Sequence, residues 1–320
     1  MLSHSRRALA ALIASLAAFS AAACSSSSSP APSSAGGRGT TSGAAAHFPV
    51  TLHPANGVVT ITRKPTAIVS LSPTATEMLF AIGAGAQVKA VDKNSDYPPS
   101  APRTTLDALQ LNAEAIAAYQ PDLVVASGLT KPQSQQLTRL QVKVLDEPAA
   151  TDIAQSYQQI SELGAATGHP GAASAEIASM KQQIAAVVQA APKQPASYYY
   201  ELDQTYYSVT STTFIGRVLG LIGLKSIADA ATGAAASGGY PQLAAEYILK
   251  ADPDYVFLAD TRCCKQSKVT VAKRPGWSSV SAVAEGRVVP LDDDIASRWG
   301  PRIVDLLRTV SEAIRQHPVS

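Results

Sequence analysis

Two glutamates stand at the same point of a phrase that the chain uses twice. LNAEAIAAYQPDLV runs from Leu111 to Val124 and LAAEYILKADPDYV from Leu243 to Val256, with Leu, Ala, Glu, Ile, Pro, Asp and Val at matching offsets. An internal echo at this separation predicts two halves built on one plan, each presenting one carboxylate, Glu114 or Glu246, from the same place on its surface. Matched carboxylates on a two-lobed body suit docking onto a symmetric partner. Each also has a local use, since a carboxylate in the first turn of a helix gains about 0.3–1 kcal/mol from the helix dipole. Catalytic patterns are missing: there is no G-x-S-x-G and no H-E-x-x-H. The five histidines, His4, His47, His53, His169 and His317, are too scattered for a triad or a histidine-built metal site.

The amino terminus reads as an export signal over residues 1–23. Arg6 and Arg7 precede an apolar stretch from Ala8 to Ala23 that is shorter than the roughly 20 residues of a membrane span. It ends in AAAC, a pattern resembling a bacterial lipoprotein processing site with Cys24 as the lipidated residue; plain cleavage after Ala23 is the other reading. Residues 24–46 are almost wholly Ser, Ala, Gly, Pro and Thr, too poor in apolar surface to offset their ordering entropy. A lipid, a flexible tether and a folded body place the protein at the outer face of the cytoplasmic membrane, because several acyl chains hold firmly. Net charge is +2 with no basic stripe, which argues against nucleic acid as a partner. Cys263 and Cys264 are adjacent in an exported chain, so they either close a strained vicinal disulfide or remain two thiols in a loop.

From His47 onward, short apolar runs alternate with helical spacing. Strands are expected at Ala67–Leu71, Val88–Val91, Leu123–Ala126 and Val142–Leu145. Between them come a helix from Thr74, with Thr74 and Glu77 as a capping box, a short helix capped by Asn112, and another from Gln135 to Leu140. This alternation predicts parallel α/β structure. Ala150 to Ala191 carries only helical periodicity, broken at Gly168–Gly171, and its second piece suits a rigid spacer. A second α/β half opens at Tyr198–Leu202, continues with a helix over Thr212–Leu224 and the second copy of the phrase, and closes with a strand at Arg287–Leu291 and a helix from Arg302. The expected organisation is a lobe over 47–170, an interlobe helix over 171–191 and a lobe over 192–320.

SLSPTATEMLFAIGAG, the SDYPP that follows, the two repeated phrases and DDDIASRWGPRI near the end together resemble the class III periplasmic binding proteins. These are the substrate-binding lipoproteins of ABC importers for ferric siderophores, haem and cobalamin. The resemblance spans nearly all of Ala67 to Ile314. It implies two Rossmann-like lobes joined by one long rigid helix, a ligand cleft between them, and Glu114 and Glu246 set on arginines of a permease dimer. TFI at Phe214, YPQL, SDYPP and the D-x-x-x-R-x-x-P-R ending are most similar to the cobalamin-binding branch. On that pattern Asp294 and Arg298 reach corrin side-chain amides and Tyr240 packs on the ligand. Asn94, Ala108 and Ser127 stand where aromatics stand in that branch, so the first lobe offers little stacking surface and Asn94 and Ser127 become polar contacts.

Each of these residues also has a plainer use. Asp294 and Arg298 could simply pair with each other. Tyr207 and Tyr240 offer a flat face with a polar tip, suited to a large ligand or to ordinary half-burial. Tyr97 fits loop packing, Trp277 packs a loop against the second lobe, and Trp299 either lines the cleft or packs. The expected function is a monomeric, lipid-anchored, non-enzymatic receptor without a cofactor of its own, passing a metal-organic nutrient to an ABC permease. A corrinoid is the first expectation. A ferric siderophore or haem is the second, favoured by the tyrosine-rich second lobe. An exported enzyme is the third.

Overall fold

The computed structural model describes residues 47–319; the signal, Cys24 and the linker lie outside the described residues. A hairpin, β1 (Val50–Leu52) with β2 (Val59–Ile61), comes first, and Leu52, Val59 and Ile61 bury against the main core. Sequence reading misses it because three-residue strands are too short to show period-2 alternation. Then follow β3 (Ile68–Ser70), α1 (Pro73–Ala81), β4 (Val88–Val91), α2 (Ala113–Ala117), β5 (Leu123–Ala126), α3 (Lys131–Thr138) and β6 (Lys143–Asp146). Two helices, α4 (Ile153–Thr167) and α5 (Pro170–Ala190), lead to the second half. That half contains β7 (Ala196–Glu201), α6 (Phe214–Gly220), β8 (Leu224–Ser226), α7 (Ala245–Ala251), β9 (Tyr255–Leu258), α8 (Lys268–Ala272), α9 (Ser281–Ala284), β10 (Val288–Pro290), α10 (Asp293–Ala296) and α11 (Ile303–Gln316).

Both main sheets are wholly parallel, one in the order β4-β3-β5-β6 and the other β10-β9-β7-β8. Counted within its own half, each has its first strand between its second and third, with the fourth outside the third. The strands are buried on both faces, as continuous runs such as LVVA and YVFL require. The repeated phrase supplies the helix before the third strand and the start of that strand in both sheets. Its isoleucines, Ile116 and Ile248, are core residues. Its aspartates do one job twice. Asp122 accepts from the backbone N–H groups of Thr66 and Ala67 at the start of β3, and Asp254 accepts from the N–H and hydroxyl of Ser197 at the start of β7. Each thereby ties the third strand to the first.

Gly168 ends α4 in the left-handed conformation and Pro170 opens α5, which packs against α4 on one side and α11 on the other. Met180 and Ile184 of α5 lie in one apolar core that includes Leu79 and Leu145 of the first half and Tyr200 and Leu307 of the second.

Three sequence expectations change. The cap of α1 is Ser72, whose Oγ accepts from Ala75 N–H, with Pro73 in the first turn. Thr74 and Glu77 are buried inside the helix, and Glu77 makes ion pairs instead of a capping box. The helix expected over Thr212–Leu224 ends at Gly220, and Leu224 begins β8 after a turn at Gly223, which has φ +85°. Helix α3 starts at Lys131, four residues before the expected Gln135, because Thr130 and Gln133 form a reciprocal capping box there.

Candidate functional site

In open α/β sheets ligands bind beyond the carboxyl ends of the strands. The segments leaving those ends are Ser95–Tyr97 after β4, Ser127 after β5, Asp260–Gln266 after β9 and Asp292–Arg302 after β10. Side chains from the first and last of these meet, so the carboxyl ends of the two sheets face one another.

Their meeting point is an ion cluster. Arg298 Nη1 donates to Glu77 Oε1 at 2.6 Å, and its Nη2 donates to Asp294 Oδ1 at 2.7 Å, Asp96 Oδ1 at 3.2 Å and the Asn94 carbonyl at 3.0 Å. Arg302 forks onto the same Glu77, with Nε to Oε2 at 2.9 Å and Nη2 to Oε1 at 2.6 Å. Its guanidinium also lies 4.1 Å over the Tyr97 ring. Arg262 pairs with Asp294 and reaches Asp96 at 3.4 Å. Three guanidinium groups thus face three carboxylates, and Glu77 is 3% exposed, Arg298 8%. Burial works to raise the Asp96 carboxyl, but hydrogen bonds from Arg298 and Arg262 outweigh it and hold Asp96 below the usual range. Asp294 moves the other way, because its burial and the charge of Asp96 win over the two arginines.

Arg298 and Asp294 are therefore brought together in this cluster. Arg298 bonds Glu77, Asn94 and Asp96 of the first half and Asp294 of its own, and so joins the two halves as a strut. The sequence pattern D-x-x-x-R-x-x-P-R contains both arginines of this strut, but by its local spacing the partner Glu77 looks like part of a helix cap. Its role depends on a contact across more than 200 residues of chain, which spacing cannot reveal.

Tyr207 and Tyr240 are exposed and lie on adjoining segments, where Ser208 N–H donates to the Pro241 carbonyl at 3.0 Å and Thr210 N–H to the Gly239 carbonyl at 2.9 Å. Gly239 permits this pairing: it has φ +91°, and a Cβ there would come within 2.8 Å of Thr213. Asn94 is exposed beside the strut and Ser127 is half-buried at the end of β5. Trp299 packs half-buried against the main core, its Nε1 donating to Gln159 Oε1 of α4 at 2.8 Å. Trp277 is fully buried against Tyr199 and Tyr206, as expected for a packing residue. Cys263 and Cys264 are both free thiols, the first exposed and the second half-buried. Glu114 and Glu246 are exposed in the first turns of α2 and α7, and neither enters an ion pair among the described residues. Asn112 caps α2 through Ala115 N–H, whereas Ala244 gives α7 no side-chain cap. Among the described residues no group of three or more His, Cys, Asp or Glu could hold a metal, and no helix is long and apolar enough to cross a membrane.

One further carboxyl bears on stability. Glu147 follows β6, is 8% exposed, and is pushed up to about 9 by burial and by the neighbouring Glu162 and Asp146 carboxylates. The unfolded chain titrates near 4.5, so the contribution to stability is full below that pH and is lost as pH rises through about 9. Glu147→Gln removes the proton requirement. It is expected to raise stability at alkaline pH by roughly 1–3 kcal/mol and to leave acid stability nearly unchanged, as read from urea unfolding across the range.

Two parallel sheets of one topology, meeting at their carboxyl ends around a shared helical core, define a bilobal ligand-binding protein. The model of the periplasmic binding protein family matches residues 68–295, and the chain belongs to that family, as a class III substrate-binding protein of the ABC importers. It is 31% identical over 279 residues to an uncharacterised ABC transporter substrate-binding lipoprotein of Bacillus subtilis, covering 83% of this chain and 86% of that one. It is 30% identical over 284 residues to a cobalamin-binding protein of Halobacterium salinarum, covering 84% and 75%. The crystal structure of the periplasmic vitamin B12 binding protein of Vibrio cholerae superposes with a TM-score of 0.67 at 24% identity, covering 80% of this chain and 99% of that one, which shows the shared fold.

Proposed function

We propose that this protein captures a corrinoid such as cobalamin outside the cytoplasmic membrane and delivers it to a dimeric ABC permease without doing chemistry on it. The observation that carries the ligand class is the charge balance where the sheets meet. Arg262, Arg298 and Arg302 are each paired with Glu77, Asp96 or Asp294, so none of these three guanidinium groups is free for an anionic ferric siderophore. An uncharged, amide-bearing ligand suits that balance, with the exposed Tyr207 and Tyr240 as apolar faces. The named binding partner of the Halobacterium relative agrees with this reading. In it, residues 47–170 and 192–320 form the lobes, residues 171–191 join them, Cys24 carries the lipid and the receptor works as a monomer. Asn94 and Ser127 supply polar contacts from the first lobe. Haem or a ferric siderophore is the second reading, which rests on the few aromatics in the first lobe.

Calorimetric titration of the protein begun after Cys24 tests this. Cyanocobalamin is expected to bind saturably in the submicromolar range, and Tyr240→Ala to weaken it by about tenfold, the loss of one aromatic contact. No heat with cobalamin, and tight binding of haemin or a ferric siderophore, would move the assignment to the second reading.

A further inference from the structure

The loop after β9 begins with a carboxylate that has nothing to bind. Asp260 is fully buried, and neither of its oxygens has a hydrogen-bond partner. Beside it on β7 lies Glu201, also fully buried, whose two oxygens are taken by the fork of Arg274 at 2.6 Å each. Arg274 is itself stacked on Trp277 and Tyr206, at 4.7 and 5.5 Å from the ring centres. The groups facing Asp260 are thus Glu201 and the Tyr199 hydroxyl from β7, and Arg274 from the segment after α8. Two buried carboxylates thus lie near one guanidinium that bonds only Glu201, and a charge left unpaired in such a place is costly.

A single proton resolves this. A protonated Asp260 donates to Glu201 and leaves one negative charge against one positive charge. We propose that Asp260 and Glu201 form a buried proton site whose occupancy governs how firmly the Asp260–Gln266 loop is held, and through Arg262 how firmly the two lobes are bridged. The loop is fastened at this site. Cys264 and Gln266 donate their N–H groups to the Asp260 carbonyl, and Gln266 Oε1 accepts from Arg274 Nη2 at 2.8 Å. Arg262, two residues from Asp260, extends to Asp96 of the first lobe. When the proton leaves, the charged Asp260 competes with Glu201 and Gln266 for the Arg274 guanidinium, which weakens the hold on Gln266. Burial, with the charge of Glu201 added, pushes the Asp260 carboxyl up to about 7. Its unfolded value is near 3.8, so the stability it contributes is full below that pH and is lost as pH rises through about 7. The loop is therefore tight in mild acid and loosened in mild alkali.

The half-buried Cys264 reports on the loop directly. Its modification rate by a small aromatic disulfide is compared, in the full chain carrying Cys24→Ser and Cys263→Ser, with and without Asp260→Asn. The comparison is made at equal pH so that ionisation of the thiol largely cancels. The amide introduced by Asp260→Asn donates to Glu201 at every pH. The rate with Asp260 present is expected to match the Asp260→Asn rate near about pH 5.5 and to exceed it by about tenfold near about pH 8.5. A charge on Asp260 would by itself slow the thiol, so a faster reaction reports opening of the loop. Equal rates throughout the range, or a difference that is already full in acid, would overturn the proposal. Should Asp260→Asn not fold, Glu201→Gln serves instead, since it removes the like charge and is expected to abolish the same pH dependence. No ligand enters this test, so its outcome is independent of the corrinoid assignment.

Discussion

Glu77→Ala is expected to destabilise the folded protein by about 3–5 kcal/mol, lowering the thermal midpoint by roughly 10 °C. The reason lies in what the substitution leaves behind. Glu77 is 3% exposed and takes three hydrogen bonds from Arg298 and Arg302. Without it Arg298 keeps Asp294 and Asp96, but Arg302 loses the one carboxylate it pairs with among the described residues and stays largely buried above Tyr97. A buried guanidinium without an anion costs more than the pair gains, so removing one member is worse than never having had both. Replacing the charges together, with Glu77→Leu, Arg298→Leu and Arg302→Leu, should therefore cost less than the sum of the single changes. Urea unfolding of these variants decides the matter. A loss below about 1 kcal/mol for Glu77→Ala would mean that the cluster is a solvated surface feature and does not brace the lobes.

Reversing both glutamates, Glu114→Arg with Glu246→Arg, is expected to abolish uptake of corrinoid by cells while the isolated protein keeps its ligand affinity. Both side chains are exposed in the first turns of α2 and α7, and neither joins the ion cluster where the sheet ends meet. Each reversal forfeits the favourable interaction with its helix dipole, about 0.3–1 kcal/mol, which a domain of this size tolerates. If the pair docks on the permease, the effect on uptake is of another order, because repulsion then replaces attraction at both ends of one interface. Single reversals should be intermediate. Helix α7, which lacks a side-chain cap, should lose slightly more stability than α2, which keeps Asn112. Uptake assays beside calorimetry with cyanocobalamin separate the two effects. Uptake that survives the double reversal would remove the glutamates from docking.

The plan of two equal halves could be read from residue order because the determinants are local. An apolar run buried on both faces must be a strand of a parallel sheet, and a phrase repeated with its isoleucine, proline and aspartate must sit in the same local structure twice. Val88–Val91 and Leu123–Ala126 fall where expected for that reason, as do the Asn112 cap and the break at Gly168. Helix ends were less legible. Ser72 and Thr74 are both good caps by type, and the choice between them followed from which hydroxyl faced the free N–H of Ala75.

What only the tertiary structure decided is which charges meet. Asp294 and Arg298 are four residues apart and invite a local reading, yet Arg298 is shared with Glu77 and Asp96 from the other half. Asp260 shows nothing unusual in sequence; its orphaned carboxylate exists because β7 places Glu201 against it and Arg274 is already occupied. The sequence by itself determined the family, the repeated architecture and the exposed matched glutamates, because strands, caps and repeats depend on neighbours within a few residues. The fate of each buried charge depends on the desolvated partner that distant chain segments bring to it, and that is a property of the folded lobes alone.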